Sequence, residues 1–300
     1  MMYDISHRTT FRYSASVTLS QHMTHLAPRS HPRQRIVQHA LIVEPSPTVI
    51  RYDTDYFGNS TAYLTVEEPH DKLVVDAVST VDVSPTEVPD ADRTMPWDKI
   101  FSSLSTACDP DSLSAFQFAF ESPFTGSAKA AAYAEGLFPS GRPVLAGALE
   151  LMTRIYRDFK YEGGVTDIYT PVDHVIDERR GVCQDFAHLQ IACLRGLGIP
   201  ARYVSGYLLT YPPPGQEKLV GSDASHAWLS VWIPEHGWVD LDPTNNMVPG
   251  IEHITVAWGR DYGDVSPING LVLGGGRHAI DVSVDVRPIN TDGLPSGATP

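Results

Sequence analysis

Residues 181–202, GVCQDFAHLQIACLRGLGIPAR, constrain the possible folds of this chain most strongly. Apolar side chains recur there at helical spacing on two sides of the predicted helix, namely Phe186, Leu189, Cys193 and Leu197 on one side and Ile191 and Leu194 on the other. A helix that is apolar on more than one side is buried among other elements. Gly198 and Pro200 then end it, since glycine favours a helix C-terminus and proline cannot continue one. The sequence therefore predicts a central, buried helix.

The segments on either side of this helix predict an α+β protein. Up to about residue 83, short β-branched runs alternate with the turn sequences PRSHPRQ, EPSPT and FGN, a pattern typical of an antiparallel β-sandwich or barrel. Helices are predicted around residues 113–120, 127–137 and 143–159 and at VDHVIDERR. After the central helix, ARYVSGYLL, HAWLSVWI and GWVDLD read as strands, followed by HITVAWG and HAIDVSVDV. A helix followed by an antiparallel sheet is an α+β arrangement.

The length of the chain favours two domains. Hydrophobic cores usually divide beyond about 250 residues, and the chain has 300. Residues 84–96, SPTEVPDADRTMP, contain prolines and acidic residues without apolar periodicity and are predicted to be a linker. We therefore predict a β domain at residues 1–83, a core with C-terminal strands at 97–290 and a flexible tail at 291–300.

Charge and cysteine content exclude several classes of partner and cofactor. The net charge of −14, with no block of Lys or Arg, disfavours binding to nucleic acid or to an anionic membrane. Because the N-terminus lacks a signal-peptide pattern and no apolar run has the length of a membrane span, we expect a cytoplasmic location. Cys108, Cys183 and Cys193 form no CxxC pair, so neither a disulfide framework nor a zinc ribbon is indicated. We expect no metal site and no cofactor. The oligomeric state stays open.

Cys183 is the candidate nucleophile, because it lies in the first turn of the predicted central helix. The reactive form of cysteine is the thiolate, which the unpaired N–H groups of a helix N-terminus stabilise. Cys193 lies inside the same helix, where a buried thiol is inert. The alternative is that Cys183 only packs in the core, and a neighbouring base decides between the two.

His226 is the candidate base, and it begins the segment HAWLSVWIPEHGWVDLD. Because 226 and 242 differ by an even number, His226 and Asp242 project from the same face of a hairpin with an odd-length loop. A five-residue loop at 232–236 places His226 directly opposite Asp242, and Trp228 opposite Asp240. Directly opposed Cβ atoms are about 4.5–5.5 Å apart, within reach of an imidazole–carboxylate hydrogen bond. Asp240 shares this face and is the alternative orienting residue.

These blocks, GVCQDFAHLQIACLRGLGIPARYVSGYL and SHAWLSVWIPEHGWVDLDPTNN, resemble the core of the transglutaminase-like superfamily over about residues 143–245. The resemblance implies a papain-like fold in which a central helix packs on an antiparallel sheet. YDISHRTTFRYSASVTLSQH and GRDYGDVSPINGLVLGGGRHAIDVSVDV resemble the N-terminal β domain and the C-terminal segment of bacterial members. Carried over by position, Cys183 is the nucleophile, His226 the base and Asp242 the orienting residue of a bacterial cysteine peptidase.

The chain departs from related families at the oxyanion site. Papain-like enzymes place a glutamine shortly before the cysteine, but TPVDHVIDERRGV contains none. Animal transglutaminases use an upstream tryptophan, but no tryptophan occurs between Trp97 and Trp228. The backbone N–H of Cys183 supplies one donor, and Tyr161 is the candidate for the second, with packing as its alternative role. The candidates for substrate binding are Gln184, Trp228 and Asp240. No acidic calcium loop and no zinc-binding CxxC pair of the peptide N-glycanase type occurs.

The resemblance implies acyl transfer through a thioester on peptide or isopeptide amide bonds. Hydrolysis is the favoured outcome, because water is always present and the sequence shows no amine-acceptor site. Transfer to an amine, as in a protein-glutamine transglutaminase, uses the same first half-reaction and is the first alternative. A non-catalytic module that binds peptides is the second. A peptide or protein is therefore the expected partner.

Overall fold

The computed structural model describes residues 1–211 and 225–289. Its first element is an antiparallel sheet, in which the N-terminal strands are ordered β2-β5-β1-β4-β3. These strands are β1 (Met2–Thr24), β2 (Gln34–Glu44), β3 (Val49–Thr54), β4 (Ser60–Val66) and β5 (His70–Val83). The strands form one seven-stranded half-barrel sheet when two C-terminal strands are included. The expected sandwich thus takes the form of a single sheet, and the antiparallel β architecture is confirmed.

A layer of helices follows the first sheet. It consists of α1 (Ile100–Ser105), α2 (Pro110–Phe116), α3 (Ala130–Ala134), α4 (Val144–Asp158), α5 (Val172–Glu178) and α6 (Cys183–Gly196). Two short strands, β6 (Lys160–Tyr161) and β7 (Arg180–Gly181), pair in parallel just before α6. Every residue of α6 from Asp185 to Arg195 is buried, because helices contact it on one side and a sheet on the other. The predicted central helix is therefore confirmed.

The second sheet is antiparallel and four-stranded, in the order β10-β9-β8-β11. Its strands are β8 (Ala201–Leu208), β9 (Ser225–Ile233), β10 (Gly237–Leu241) and β11 (His253–Gly259). Helix α6 packs on β8 and β9. The α+β class, with helices packed on an antiparallel sheet, is confirmed.

The hairpin between β9 and β10 is tighter than the sequence predicts. Its loop spans residues 234–236, and Gly237, which begins β10, has a left-handed φ of 82° that favours glycine. Asp240 consequently pairs with Ser230. Continuing this register by two residues places Asp242 opposite Trp228, so the predicted direct opposition of Asp242 and His226 is wrong by two residues. Both side chains still share a face, because the loop length is odd.

The C-terminal segment returns to the first sheet. After α7 (Tyr262–Val265), the strands β12 (Ile268–Gly274) and β13 (His278–Ile289) both pair with β1. The sequence predicts these strands as part of the core at 97–290, whereas their backbone partners lie in the N-terminal half. The division into domains at 1–83 and 97–290 stays a prediction, and the predicted tail at 291–300 lies outside the described residues.

One hydrophobic core joins the two halves. Tyr3 and Ile5 of β1 and Val284 and Val286 of β13 are buried in the same cluster as the apolar side chains of α6. The N-terminal sheet therefore buries apolar surface of the α6 half directly. None of the helices in residues 1–211 and 225–289 is long and apolar enough to span a membrane.

Two amide side chains pair with the outer edge of β11. Gln34 Nε2 donates to the carbonyl of Thr255 at 2.7 Å, and its Oε1 accepts from the Thr255 N–H at 2.8 Å. Asn59 repeats the arrangement on Trp258, donating at 2.8 Å and accepting at 3.0 Å. The N-terminal half thus satisfies backbone groups that an edge strand would otherwise leave unpaired.

We expect Gln34→Ala to lower the free energy of unfolding by about 1–3 kcal/mol, because the buried N–H of Thr255 loses its hydrogen bond, whereas the Thr255 carbonyl keeps the one from the Arg29 N–H. Gln38→Ala, at an exposed position of the same strand, is the matched control and should change stability by less than about 0.5 kcal/mol. Urea unfolding of both variants measures the difference. Equal stability of the two would show that the amide pairing contributes nothing.

Candidate active site

Cys183 is the first residue of α6, and Val182 before it has extended backbone dihedrals. The helix start is held by Asp185, whose carboxylate accepts from the Val182 N–H and from the Thr166 hydroxyl, each at 2.7 Å. Burial raises the pKa of Asp185, while these two hydrogen bonds oppose the shift. The thiol therefore lies where the N–H groups of the first helical turn point toward the site.

The three cysteines occupy different environments. Cys183 is partly exposed, Cys193 is buried and Cys108 is exposed on the surface. Burial strongly raises the pKa of the Cys193 thiol, which agrees with the expectation that it is inert. Cys183 is thus the one cysteine that combines access with a helix N-terminus.

His226 lies near the start of β9, with only 9% of its side chain exposed. Its Nε2 is 2.8 Å from Oδ2 of Asp242, and because a carboxylate only accepts, this nitrogen carries the proton. Cys183 also raises the pKa of the ring, which indicates that the thiol lies near His226; Nδ1 is the nitrogen that Asp242 leaves available to it. Burial by itself would lower the pKa of His226, but the interactions with Asp242 and Cys183 outweigh it, and the pKa is raised.

Asp242 has no exposed surface, and donors surround its carboxylate. Oδ2 accepts from His226 at 2.8 Å, from His253 Nε2 at 3.1 Å and from Asn245 Nδ2 at 2.7 Å. Oδ1 accepts from the backbone N–H of Thr244 at 2.9 Å and of Asn245 at 3.2 Å. Burial would raise the pKa of Asp242, but these hydrogen bonds hold it well below its usual range. The carboxylate is therefore ionised beside His226.

The structure brings together Cys183, His226 and Asp242, with His226 between the thiol and the carboxylate as the sequence predicts. Two further residues of the site, His253 and Asn245, were not predicted. Asn245 belongs to the turn DPTNN, and an Asx-type turn after Asp242 is a local signal that could have identified it. His253 begins β11, and only the pairing of β11 with β8 brings it to this carboxylate.

Tyr161 and Gln184 lie beside Cys183. The pairing of β6 with β7 places Tyr161 next to Gly181, two residues before the thiol. Tyr161 is 58% exposed, and burial of its remaining surface, together with the charges of Cys183 and Asp185, raises its pKa. Its phenol therefore keeps the proton that an oxyanion donor needs. Gln184 Nε2 donates to the carbonyl of Ile168 at 3.2 Å, which ties the loop after Tyr161 to the start of α6.

The side chain of Trp228 has no exposed surface and is therefore closed to a substrate in this conformation. It packs edge-on against His253, with ring centroids 5.2 Å apart. The close approach of Trp228 to β8 requires a glycine, since a Cβ at Gly206 would lie 2.4 Å from the indole. The predicted substrate-binding role of Trp228 is thus replaced by a packing role.

Asp240 is also turned away from the thiol. Its carboxylate accepts from Ser230 and forms an ion pair with Arg33 at 2.9 Å. Both oxygens are engaged and only 8% of the residue is exposed. The structure therefore contradicts Asp240 both as the orienting residue for His226 and as a substrate contact.

The ligand atoms of His226, Asp242 and His253 lie within 4.8 Å of one another, close enough in principle to share a metal ion. The Nε2–Oδ2 distances of 2.8 and 3.1 Å are those of direct hydrogen bonds. Two nitrogen or oxygen ligands on a tetrahedral zinc are about 3.3 Å apart. We therefore interpret the cluster as a hydrogen-bonded network.

Comparisons with known proteins agree with this geometry. Residues 3–82 match the family model of the bacterial transglutaminase-like N-terminal region, and residues 131–243 match that of the transglutaminase-like superfamily. A crystal structure from Cytophaga hutchinsonii, named "Putative Cysteine Protease", superposes with a TM-score of 0.77 at 25% identity. The superposition covers 100% of this chain and 94% of that one.

Curated relatives span the whole chain or only its core. An uncharacterized protein of Mycobacterium tuberculosis is 42% identical over 301 residues, covering 97% of this chain and 94% of the relative. A protein-glutamine gamma-glutamyltransferase of Pseudomonas aeruginosa is 33% identical over 135 residues, which are 42% of this chain and 20% of that protein. With both family models matched and a relative similar over nearly its full length, the chain belongs to the transglutaminase-like superfamily and carries a bacterial transglutaminase-like N-terminal region.

Proposed function

We propose that the protein is a cysteine peptidase or amidase that acts on peptide or isopeptide bonds, with Cys183 as nucleophile, His226 as base and Asp242 as orienting residue. The observation that carries the proposal is the buried, ionised Asp242 hydrogen-bonded to His226, whose ring interacts electrostatically with the thiol of Cys183 at a helix start. A nucleophile, a base and an orienting group within hydrogen-bonding reach are the arrangement of activated cysteine enzymes.

In the first half-reaction, the Cys183 thiolate beside protonated His226 attacks the carbonyl carbon of the amide. The carbonyl oxygen becomes an oxyanion, which local N–H and O–H donors stabilise. When the intermediate collapses, the C–N bond breaks and the leaving amine takes the proton from Nδ1 of His226. A thioester on Cys183 and a free amine result.

In the second half-reaction, water gives a proton to Nδ1 of His226 and its oxygen attacks the thioester carbonyl. The C–S bond breaks, a carboxylic acid leaves, and the thiolate and imidazolium are restored. If an amine attacks in place of water, the product is a new amide. Similarity of the core to a protein-glutamine gamma-glutamyltransferase supports this transfer as the second candidate function. Hydrolysis remains the first, because water needs no dedicated acceptor site.

The oxyanion has two candidate donors. The backbone N–H of Cys183 lies in the first turn of α6, where no intrahelical acceptor is available. The Tyr161 hydroxyl is the second, since the strand pairing between Tyr161 and Gly181 places the residue beside the thiol.

Alkylation of the three cysteines distinguishes an enzyme from a peptide-binding module. The raised pKa of His226 keeps it an imidazolium at pH 6, and a cation beside a thiol favours the thiolate. We expect iodoacetamide at pH 6 to modify Cys183 at least about tenfold faster than Cys108, and His226→Ala to remove the difference. Mass spectrometry follows each cysteine separately. Equally slow reaction of Cys183 and Cys108 would favour the binding module.

A glutamine-containing peptide and a labelled amine separate hydrolysis from transfer. We expect the release of free amine or ammonia without incorporation of the label, because water is the acceptor. Cys183→Ala is the control and should release nothing. Incorporation that matches or exceeds hydrolysis would instead make the protein a transglutaminase.

Tyr161→Phe tests the second oxyanion donor. Loss of one such donor typically slows acyl transfer about a hundredfold or more, so we expect at least a tenfold slower acylation of Cys183 by p-nitrophenyl acetate. Tyr156→Phe, an exposed tyrosine on α4, is the matched control and should leave the rate unchanged. An unchanged rate in Tyr161→Phe would assign Tyr161 to packing.

A further inference from the structure

Two buried histidines share one oxygen of Asp242. His226 and His253 approach Oδ2 from different strands, β9 and β11, at 2.8 and 3.1 Å. His253 is only 4% exposed. The chemistry proposed above uses His226 but leaves His253 without a role.

We propose that His253 is a positioning residue for the acyl-transfer reaction: it holds the Asp242 carboxylate and takes a share of its charge, so that His226 can act as a base. This inference rests on the proposed function, because it assigns His253 to the same Cys183, His226 and Asp242 site.

The single polar contact described for the His253 ring is the one to Asp242. Since the carboxylate only accepts, His253 Nε2 carries the hydrogen, and Nδ1 has no hydrogen-bond partner among the described residues. The ring also packs against Trp228 at an interplanar angle of 83°, and its centroid lies 6.0 Å from that of the His226 ring. An apolar side chain would fill this space without burying an unpaired polar atom, which is unfavourable. The hydrogen bond to Asp242 therefore accounts for a histidine at this position.

By donating to Asp242, His253 lowers the negative charge near His226 and so lowers the pKa of that base. In the second half-reaction, neutral His226 must accept a proton from water, yet the bond to Asp242 favours its protonated form. Each additional donor on Oδ2 reduces the negative charge that His226 experiences. Asn245 supplies one such donor from within the turn after Asp242, and His253 supplies another from a separate strand. His253 thus keeps the pKa of His226 closer to the pH at which the reaction runs.

The scaffold fixes His253 independently of Asp242. Its backbone pairs with Leu208 of β8, and the other edge of β11 is held by Gln34 and Asn59. The donor therefore keeps its place if the turn that carries Asp242 shifts, which is the requirement for a positioning residue.

A matched pair of variants tests the hydrogen bond. In His253→Gln the amide nitrogen can occupy the position of Nε2 and reach Asp242, whereas in His253→Asn it is one bond too short. His253→Leu is a second variant without the donor, should His253→Asn fail to fold. Thermal unfolding establishes that each variant is native before its chemistry is measured.

The readout is the pH dependence of deacylation after p-nitrophenyl acetate has acylated Cys183, since the thioester removes the thiol from the titration. We expect the midpoint of the acid limb to rise by about one pH unit in His253→Asn, which slows deacylation about tenfold at neutral pH. His253→Gln should keep the native midpoint. A role limited to packing would slow the reaction at every pH and leave the midpoint unchanged, and this result, or a downward shift, would overturn the inference.

A second measurement separates this inference from the proposed function. In a Cys183→Ala background, NMR titration of the His226 ring should show the same upward shift in His253→Asn and none in His253→Gln. If the native protein forms no thioester on Cys183, the proposed function fails while the titration still tests His253. An unchanged titration of His226 in His253→Asn would overturn the role of His253 whether or not a thioester forms.

Discussion

The buried charge of Asp242 is the constraint on which the site depends. Moving a carboxylate into a protein interior costs several kcal/mol unless hydrogen bonds replace its water. Here five hydrogen bonds do so, two from backbone N–H groups of the following turn and three from side chains of three different residues. Because these donors come from β9, from the turn and from β11, the charge is stable only when the second sheet is fully assembled. The hydrogen bond between His226 and Asp242 therefore depends on the assembled sheet.

The N-terminal half contributes to this assembly from a distance. Gln34 and Asn59 pair with the outer edge of β11, the strand that begins with His253. His7 of β1 adds a hydrogen bond of 2.9 Å to the hydroxyl of Tyr207 on β8. Strands β8 and β11, which follow β9 in the sheet order, are thus both tied to the first sheet. The N-terminal region therefore has a structural reason to accompany the core, apart from any part in substrate binding.

The sequence predicted what depends on local periodicity and missed what depends on pairing between distant segments. The two apolar sides of α6 and the even spacing of His226 and Asp242 are local, and both predictions agree with the structure. The loop length was wrong because Glu235 and Gly237 adopt left-handed conformations that close a tighter turn than the apolar pattern implied. The pairing of β12 and β13 with β1, and of His253 with Asp242, joins residues far apart in sequence, for which the periodicity of a single chain contains no signal.

Asp240 and Asp242 show why a shared face does not determine a shared role. Asp240 lies in β10 and Asp242 directly after it, two residues apart and so on the same side of the chain, and both are buried. Asp240 lies opposite Ser230, four residues along β9 from His226, a separation of about 13 Å at the rise of a strand. There it meets Arg33, and the adjacent Arg202 is held between the rings of Trp238 and Trp258. Asp242 is displaced by only two residues from His226 and meets two histidines instead. Position along the strand, set by the length of one turn, thus assigns one aspartate to a structural ion pair and the other to the candidate catalytic site.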